Sequence, residues 1–447
     1  MSKLSVREII GKDGLPVSFP DGINVGSATL GGLNNIGVAG QPGFGLGVCP
    51  GPLPDGMVAL PGCTDPLSDN YGNYQFSDGS AMVWVPAFFY KFGTGANGLA
   101  TNVVDIKAFG AYATVAAANS AGYALHRAFY DGGAVQPGFF VDKYLCSNNG
   151  GIASSLKMGN PLSSLAAHNP FAGLTGAPSN AYHGAIAAAK TRGSNFFCSS
   201  LFIFKALALL ALAHAQASTN STYCAWYHAT NKFPKGCNND ALGDTNDADL
   251  SFVSDGYSNA CKTGSANLFA RTTHNGQNCG VADLNGCMWE INPGLTMDGN
   301  ATSNNLFILK TSVAMKAVTG GTTLETSLWG STGRAAQYDD LGPMNAFTGY
   351  ALNFTGRTLT YGSASQVLSA ETSGVPWAMA GAGVPLVAGG ANQFGNDGIW
   401  DYSTADMCPR SGGTWNPGSA AGVWALSLYH SRSDSLDYVG FRAALYL

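Results

Sequence analysis

The pattern of apolar and polar residues changes along the chain and predicts short strands together with two helices. Apolar and aromatic residues run together over 80–92, "SAMVWVPAFFYKF", as they do in a buried strand. A second strand is predicted within 138–151, where an Asn-Gly pair marks the turn that follows it. Shorter apolar runs at 305–315 and 422–430 predict further strands, separated by long loops.

The clearest helix is predicted at 179–193, "SNAYHGAIAAAKTRG". Ser179 or Asn180 can cap its first turn, and alanines, which are strong helix formers, fill its interior. Lys190 and Arg192 suit the negative C-terminal end of the helix dipole. The capping residue, the alanine-rich interior and the basic residues at the C-terminal end therefore all favour a helix here.

A second helix is predicted over 199–217. The surrounding stretch 196–215 is apolar enough to imitate a membrane span, but Ser199, Ser200 and Lys205 interrupt it. A span needs about 20 nearly continuous apolar residues. We therefore expect a buried core helix and no membrane insertion. Two helices followed by strands and long loops predict an α+β domain.

Residues 1–75 are rich in Gly and Pro and show little periodicity. We expect this region to be extended or loop-rich and to serve as an attachment or oligomerisation region. A leader that packs loosely on the main body is the alternative. The main domain is expected to occupy 76–447.

The composition limits the classes of function. Of the 447 residues, 45% are hydrophobic and only 11% are charged, which indicates a large core rather than disorder. The net charge is −5 and no basic run occurs, so nucleic-acid binding is not expected. The segment 1–19 has no apolar stretch of the kind found in secretory signals. The 10 cysteines form no CxxC pair, and we expect them to be mostly reduced and buried.

Several segments, taken in order, resemble proteins with a C-type-lectin-like fold, in the branch that includes formylglycine-generating enzymes. The segments 124–151, 191–216 and 231–240 are similar to the first strand, the second helix and a short loop of phage-encoded members. The segment 273–295 looks like the family's "GI-D-NGNVWEW--G" motif. Its matching residues are Gly280, Asp283, Leu284, Asn285, Gly286, Trp289 and Glu290.

The tail is the most specific part of this resemblance, which covers residues 80–447. It is similar to the variable region of proteins that are diversified by retroelements. The resemblance implies a C-type-lectin-like fold with two helices, short antiparallel strands and long loops, and a variable ligand-binding region at 410–447. The matching tail residues are Gly412, Gly413, Trp415, Gly418, Ala421, Gly422, Leu426, Arg432, Ser433, Gly440, Phe441 and Arg442.

A fold does not fix a function, so the functions of this superfamily are weighed separately. Formylglycine-generating enzymes hold copper through two cysteines in the tail, and this chain has no cysteine between Trp415 and Phe441. Calcium-dependent lectins use EPN or QPD with WND, and none of these tripeptides occurs. The oxygen-rich loop 243–255 fails as an EF-hand, since Asp249 stands where glycine is required. We expect no metal, no cofactor and no enzymatic activity.

A display protein explains the tail better than an enzyme does. In the family, miscopied AAC codons reach Asn, Asp, His, Tyr, Ser, Thr, Ala and Leu, among others, but not Lys, Glu, Gln, Met or Trp. Strand alternation is expected to bury the frame residues and to point the residues between them outward. The positions expected to bind ligand are Thr414, Asn416, Ala420, Ser427, Tyr429, His430, Ser431, Asp434, Leu436, Asp437 and Tyr438.

The candidate residues are expected to have different roles. Tyr429, Tyr438 and His430 would supply contact area, and Asp434 and Asp437 would set a charge preference. The frame is expected to serve structure, its arginines through paired or stacked guanidinium groups. The frame residues are Gly412, Gly413, Trp415, Trp424, Arg432, Gly440, Phe441 and Arg442.

The expected partner is a protein or glycan receptor on the surface of a host or target cell. The expected setting is a phage tail, reached after assembly in the cytoplasm, and a homo-oligomer such as a trimer is compatible with it. A cytoplasmic location is the alternative. A cellular ligand-binding protein of the same family, or a structural tail protein whose tail is not diversified, are the other two interpretations.

Overall fold

The computed structural model describes residues 23–25, 28–30, 35–101, 103–176, 180–217, 260–265, 269–284, 286–297, 305–318, 334–343, 355–360, 369–384, 397–402, 404–415 and 420–447. Within these ranges the chain is a mixed α+β fold in which strands outnumber helices. The α+β class predicted from the sequence is confirmed. The loop 243–255 lies outside the described residues.

The regular elements are short. The strands are β1 (Ile23–Val25), β2 (Ala28–Leu30), β3 (Met57–Ala59), β4 (Asn73–Phe76), β5 (Ala81–Pro86), β6 (Phe88–Phe92), β7 (Val104–Ala108), β8 (Ala124–Leu125), β9 (Tyr130–Asp131), β10 (Ala134–Val135), β11 (Gly138–Asp142), β12 (Cys146–Asn149), β13 (Ile152–Ser155), β14 (Phe197–Cys198), β15 (Trp289–Ile291), β16 (Leu295–Met297), β17 (Asn305–Leu309), β18 (Tyr338–Pro343), β19 (Thr355–Thr360), β20 (Gly398–Tyr402), β21 (Arg410–Ser411), β22 (Leu426–Leu428), β23 (Val439–Gly440) and β24 (Ala443–Leu445). The α-helices are α1 (Val115–Ser120), α2 (Ala172–Thr175), α3 (Ala181–Ala189), α4 (Leu201–Ala217), α5 (Arg334–Gln337) and α6 (Gly374–Gly381).

Two six-stranded sheets dominate the fold. The first has the order β14-β24-β11-β5-β4-β3 and is antiparallel throughout. The second has the order β19-β20-β22-β21-β15-β23, with parallel pairs at β20/β22 and β15/β23. Strands β21, β22 and β23 of the tail lie in the second sheet, whereas the last strand, β24, lies inside the first. The tail therefore ties the two sheets together.

Helix α3 forms where its capping and alanine content predict it. The Asn180 side chain accepts a hydrogen bond from the His183 amide at 2.9 Å, so Asn180 is the N-cap. The helix continues into a 3₁₀ turn over Lys190–Arg192. The prediction of a helix in 179–193 is confirmed.

Helix α4 lies in the core of the molecule. Every residue from Leu201 to His214 is buried, as expected for a helix that is apolar on all faces. The Lys205 ammonium donates to the carbonyl oxygens of Trp424 and Ala425 at 3.0 and 3.4 Å, and burial lowers its pKa to about 7. The predicted core helix is confirmed. Within the described ranges, no helix combines the length and the apolar character that a membrane span requires.

The strand predicted over 80–92 is in fact two strands in different sheets. Strand β5 pairs with β4 and β11 in the first sheet, and β6 pairs with β7 and β8 in a separate three-stranded sheet. The chain changes sheets at Pro86, which has no amide hydrogen with which to continue a ladder. The apolar pattern alone could not show this break, because both strands are buried.

Residues 35–75 share the core of the main body. Ile36, Phe44 and Leu46 are at most 1% exposed, and β3 and β4 extend the first sheet beyond β5. The boundary predicted at residue 75 therefore separates no independent core within the described ranges. The role of the N-terminal region in attachment or oligomerisation stays a prediction.

Two buried histidines place uncharged imidazoles in the core. His126 packs against the rings of Phe88 and Tyr90, and its Nδ1 accepts a hydrogen bond from the Ala128 amide at 3.2 Å. His274 is 2% exposed. Burial lowers the pKa of both side chains from 6.5 to about 3.

These histidines predict a loss of stability in acid. Below pH 6.5 the unfolded chain binds protons that the folded chain does not, so the free energy of unfolding falls as the pH falls towards 3. His126→Gln keeps an acceptor for the Ala128 amide and removes the titrating group. Denaturant titrations across this window should show a pH-dependent loss smaller by about 1 kcal/mol or more in the variant, since one pKa unit corresponds to about 1.4 kcal/mol. An unchanged pH dependence would contradict the prediction.

Candidate functional site

The tail residues predicted to be buried form a packed frame. Strand β22 lies between β20 and β21, and β23 pairs with β15, so the main chain of the tail is held inside the second sheet. This confirms the buried half of the predicted pattern. The frame side chains, all at most 3% exposed, are Trp415, Trp424, Leu426, Leu428, Val439 and Phe441.

The glycines of the frame meet backbone requirements. Gly412 and Gly413 have φ angles of +91° and +81°, in the left-handed region that other residues rarely adopt. The Gly412 amide donates to the carbonyl oxygen of Ala425 at 3.1 Å, which ties this turn to the start of β22. In β23, a Cβ added to Gly440 would lie 3.2 Å from the carbonyl oxygen of Leu162. Backbone geometry therefore explains the glycines.

Two frame arginines are buried within the protein. Arg442 Nε donates to both carboxylate oxygens of Glu290 at 2.9 and 2.8 Å, and its Nη1 donates to the carbonyl oxygen of Lys143 at 2.8 Å. The guanidinium of Arg432 stacks on the Tyr182 ring at 3.9 Å from its centre. These contacts agree with the paired and stacked roles predicted for both residues.

A cluster of polar and aromatic side chains lies at the surface beyond β22. We call Tyr429, His430, Ser431, Asp434 and Tyr438 the Asp434 cluster. Tyr429 is 42% exposed and the other four are partly exposed. The rings of Tyr429 and His430 are 3.9 Å apart, and the Asp434 carboxylate lies 2.6 Å from His430 Nδ1 and 3.0 Å from Ser431 Oγ. The cluster is therefore one connected surface rather than a set of separate side chains.

The electrostatics of the cluster centre on Asp434. Burial alone would raise the pKa of Asp434, but its hydrogen bond with His430 and the charge of Arg410 outweigh burial and hold the pKa below its usual value. Burial lowers the pKa of His430, against the effect of that hydrogen bond. Asp434 is thus an ionised acceptor, and His430 Nδ1 must carry the proton that joins them.

Two positions that were predicted to point outward are buried, and those predictions are wrong. Ser427 is 0% exposed and Thr414 is 6% exposed. Strand β22 has neighbours on both sides, and both of its faces are covered, so strand alternation does not bring Ser427 to solvent. Thr414 comes directly after the turn at Gly412 and Gly413, and it lies in the interior of the protein.

The remaining candidate positions differ in their surroundings. Ala420, Leu436 and Asp437 are partly exposed. Leu436 packs against the core, and its amide donates to Ser164 Oγ at 2.9 Å, so it is partly a frame residue. Asn416 lies outside the described residues. The structure therefore brings together five of the predicted positions most closely, those of the Asp434 cluster.

The sequence did not single out Arg410, which belongs to this site. It lies on β21, two residues before the glycine pair, and its Nη2 donates to Asp434 at 2.9 Å. The available signal was a charged residue beside the Gly-Gly motif in a chain with only 11% charged residues. Its partner is 24 residues away, and only the fold brings the two together.

The buried pair of Arg442 and Glu290 gives a prediction about the frame. Glu290→Gln leaves the guanidinium buried without its counter-charge, and we expect the free energy of unfolding to fall by about 3–5 kcal/mol. The control is Lys107→Met, which breaks the ion pair between Lys107 and Asp105, whose side chains are 43% and 32% exposed respectively. We expect this variant to lose less than about 1 kcal/mol of the free energy of unfolding. Denaturant titration measures both. Equal losses of the free energy of unfolding in the two variants would show that the buried pair stabilises the protein no more than the exposed pair does.

Comparison with solved structures finds distant similarity to a protein whose structure is known. No protein-family model matches the chain, and no curated protein matches it. Among solved structures, the chain is similar to the "Major Tropism Determinant U1 Variant", with 12% sequence identity and a TM-score of 0.28. The similarity covers 83% of this chain and 65% of the length of that one. A likeness at this level assigns no function to the chain.

Proposed function

We propose that this chain is a receptor-binding protein that presents its C-terminal surface on a C-type-lectin-like domain. The observation that carries this proposal is the contrast within the tail. The frame residues Trp424, Leu426 and Phe441 are at most 1% exposed, whereas the Asp434 cluster, a few residues away in sequence, reaches the surface. Exposed side chains on a rigid support are how binding sites are commonly built.

The chemistry of the Asp434 cluster suits binding. Tyrosine supplies a large contact area at low entropic cost, and serine and histidine supply adaptable hydrogen bonds. Tyr429 is the most exposed member, at 42%. We therefore propose Tyr429, His430, Ser431, Asp434 and Tyr438 as the ligand-contacting residues, with Ala420, Leu436 and Asp437 at their margin.

Binding rather than catalysis is further supported by the thiol nearest the tail. Cys408 is 0% exposed, and burial raises its pKa to about 11. A thiol of this kind is neither a good nucleophile nor a ready ligand for a soft metal. The copper oxidase chemistry of formylglycine-generating enzymes also requires two cysteines in the tail, and this sequence has none between Trp415 and Phe441.

The setting we propose is a phage tail, in which the protein recognises a host receptor and the exposed positions are diversified. In that setting a reverse-transcriptase gene and a near-copy of the 3′ end of the coding sequence lie nearby, and the copy differs at template adenines. Sequencing the flanking DNA tests this. If no copy exists, diversification is excluded, while the binding proposal stands on the surface itself.

Removing the aromatic contact area tests the binding proposal. A Tyr429→Ala, His430→Ala, Tyr438→Ala variant should lose affinity about 100-fold or more, because truncating a few central aromatic residues removes most of the energy of an interface. Fluorescently labelled full-length protein is titrated onto the bacterial strain that binds it best in a panel. Circular dichroism and thermal unfolding confirm that the variant folds.

The matched control removes exposed apolar surface elsewhere. Val58 and Leu67 are 58% and 79% exposed and lie in the N-terminal region. A Val58→Ala, Leu67→Ala variant should bind as the unchanged protein does. Undiminished attachment by the folded triple variant would defeat the proposal.

A further inference from the structure

Arg410 contacts the Asp434 cluster from the buried side of the molecule. Its side chain is 0% exposed and lies on β21, an inner strand of the second sheet. Nη2 donates to Asp434 at 2.9 Å. Nε and Nη1 have no acceptor among the residues that the structure describes. Because a guanidinium carries five N–H donors, most of its hydrogen-bonding capacity is unused.

The other buried arginines that form ion pairs are supplied with acceptors. Each nitrogen of Arg442 and of Arg192 donates to a carboxylate or to a backbone carbonyl. A buried donor without a partner loses its hydration and receives nothing in exchange. Arg410 therefore differs from Arg442 and Arg192, whose hydrogen bonds stabilise the fold.

In the described part of the chain, Nε and Nη1 of Arg432 also lack acceptors, but its guanidinium lies near two aromatic rings. Its guanidinium lies 3.9 Å from the ring centre of Tyr182 and 5.9 Å from that of Tyr338, and both tyrosines are buried. The faces of these rings partly compensate the charge. The ring contacts of the Arg432 guanidinium are therefore with buried side chains.

Arg410, in contrast, is paired with a partly exposed side chain. The side chain of Asp434, which accepts from Nη2 of Arg410, is 29% exposed. Tyr429 and Tyr438 belong to the same cluster as Asp434; burial raises the pKa of both hydroxyls, and the charge of Arg410 opposes that rise. An arginine paired with a cluster that contains two tyrosines has the composition of an interface hot spot.

We propose that Arg410 recognises an acidic side chain of a protein receptor at the position that Asp434 now holds. This inference rests on the proposed function and names the ligand class of that site. The receptor's Asp or Glu carboxylate replaces Asp434 as the acceptor of the Arg410 hydrogen bonds, and Asp434 turns towards solvent. Tyrosines with serine and histidine around a central arginine favour a protein surface over a glycan.

Asp434 is therefore an internal competitor of the ligand. It neutralises Arg410 when the site is empty, and its own negative charge repels an approaching carboxylate. Removing that charge while keeping the shape should strengthen the binding of acidic ligands. Removing the guanidinium should abolish the preference for acids.

The test uses the full chain and a display library of random linear peptides. Peptides selected on the chain are synthesised, and each Asp or Glu is exchanged for Asn or Gln in a matched analogue. We expect the acidic peptide to bind about ten-fold or more tightly than its amide analogue, as for a hydrogen bond to a charged group. Arg410→Met should reduce this ratio to near one.

Two further variants separate recognition from folding and from net charge. Asp434→Asn, which alters a partly exposed residue, should tighten the binding of acidic peptides relative to their amide analogues by about a further ten-fold. Asp55→Asn removes the same charge from an exposed loop before β3 and should change neither. Even if Arg410→Met does not fold, the comparison of Asp434→Asn with Asp55→Asn decides the question.

The outcomes also separate this inference from the proposed function. Peptides that require Tyr429 and Tyr438 but show no acid preference would overturn the role of Arg410 and leave the binding surface standing. Peptides indifferent to the tyrosines would overturn both. If only carboxylated oligosaccharides bind in a way that depends on Arg410, the assignment of a protein ligand is wrong.

Discussion

The ion pair between Arg442 and Glu290 is the interaction on which the rest of the structure depends. Arg442 lies between β23 of the second sheet and β24 of the first. Its Nε holds Glu290 on β15, and its Nη1 holds the carbonyl oxygen of Lys143 just beyond β11. A buried charged group that donates to several acceptors at defined positions holds those groups in place and also contributes to stability. The tail cannot slide against either sheet without leaving a buried charge unpaired.

The Arg442–Glu290 ion pair fixes the tail to both sheets. It therefore explains how the Asp434 cluster is held on a fixed support. Lys205 reinforces it from helix α4, because its ammonium holds the carbonyl oxygens at the start of β22. Each of these groups spends its donors inside the protein. Arg410 and Arg432 differ from them, since two nitrogens of each have no acceptor among the described residues. Of these two arginines, only Arg410 donates to a partly exposed carboxylate, that of Asp434, and this pairing marks the part of the tail that we propose contacts a ligand.

The sequence predicted the elements whose signals are local. An asparagine cap and a run of alanines predicted helix α3, and continuous apolar residues predicted α4. The buried frame was predicted from the resemblance of the tail and from strand alternation. The prediction for Ser427 was wrong because alternation assumes one wet face, whereas β22 is covered on both. Arg410 was missed because its role in the site depends on its hydrogen bond to Asp434, and only the fold brings these two residues together. Patterns along a chain report burial, but they do not report whether a buried donor finds an acceptor.

The pairing of these two residues also joins a frame position to a candidate variable position. Arg410 precedes the glycine turn and belongs to a strand that the sheet holds on both sides, whereas Asp434 is partly exposed. A change from Asp to Asn or Ser at 434 leaves the frame intact and yet alters the net charge beside the guanidinium by one unit. Changes at Tyr429 or Tyr438 alter the shape of the surface without that effect. Under the proposed function, position 434 therefore sets the sign of the charge that the site prefers, through a cation whose own position is fixed by the sheet.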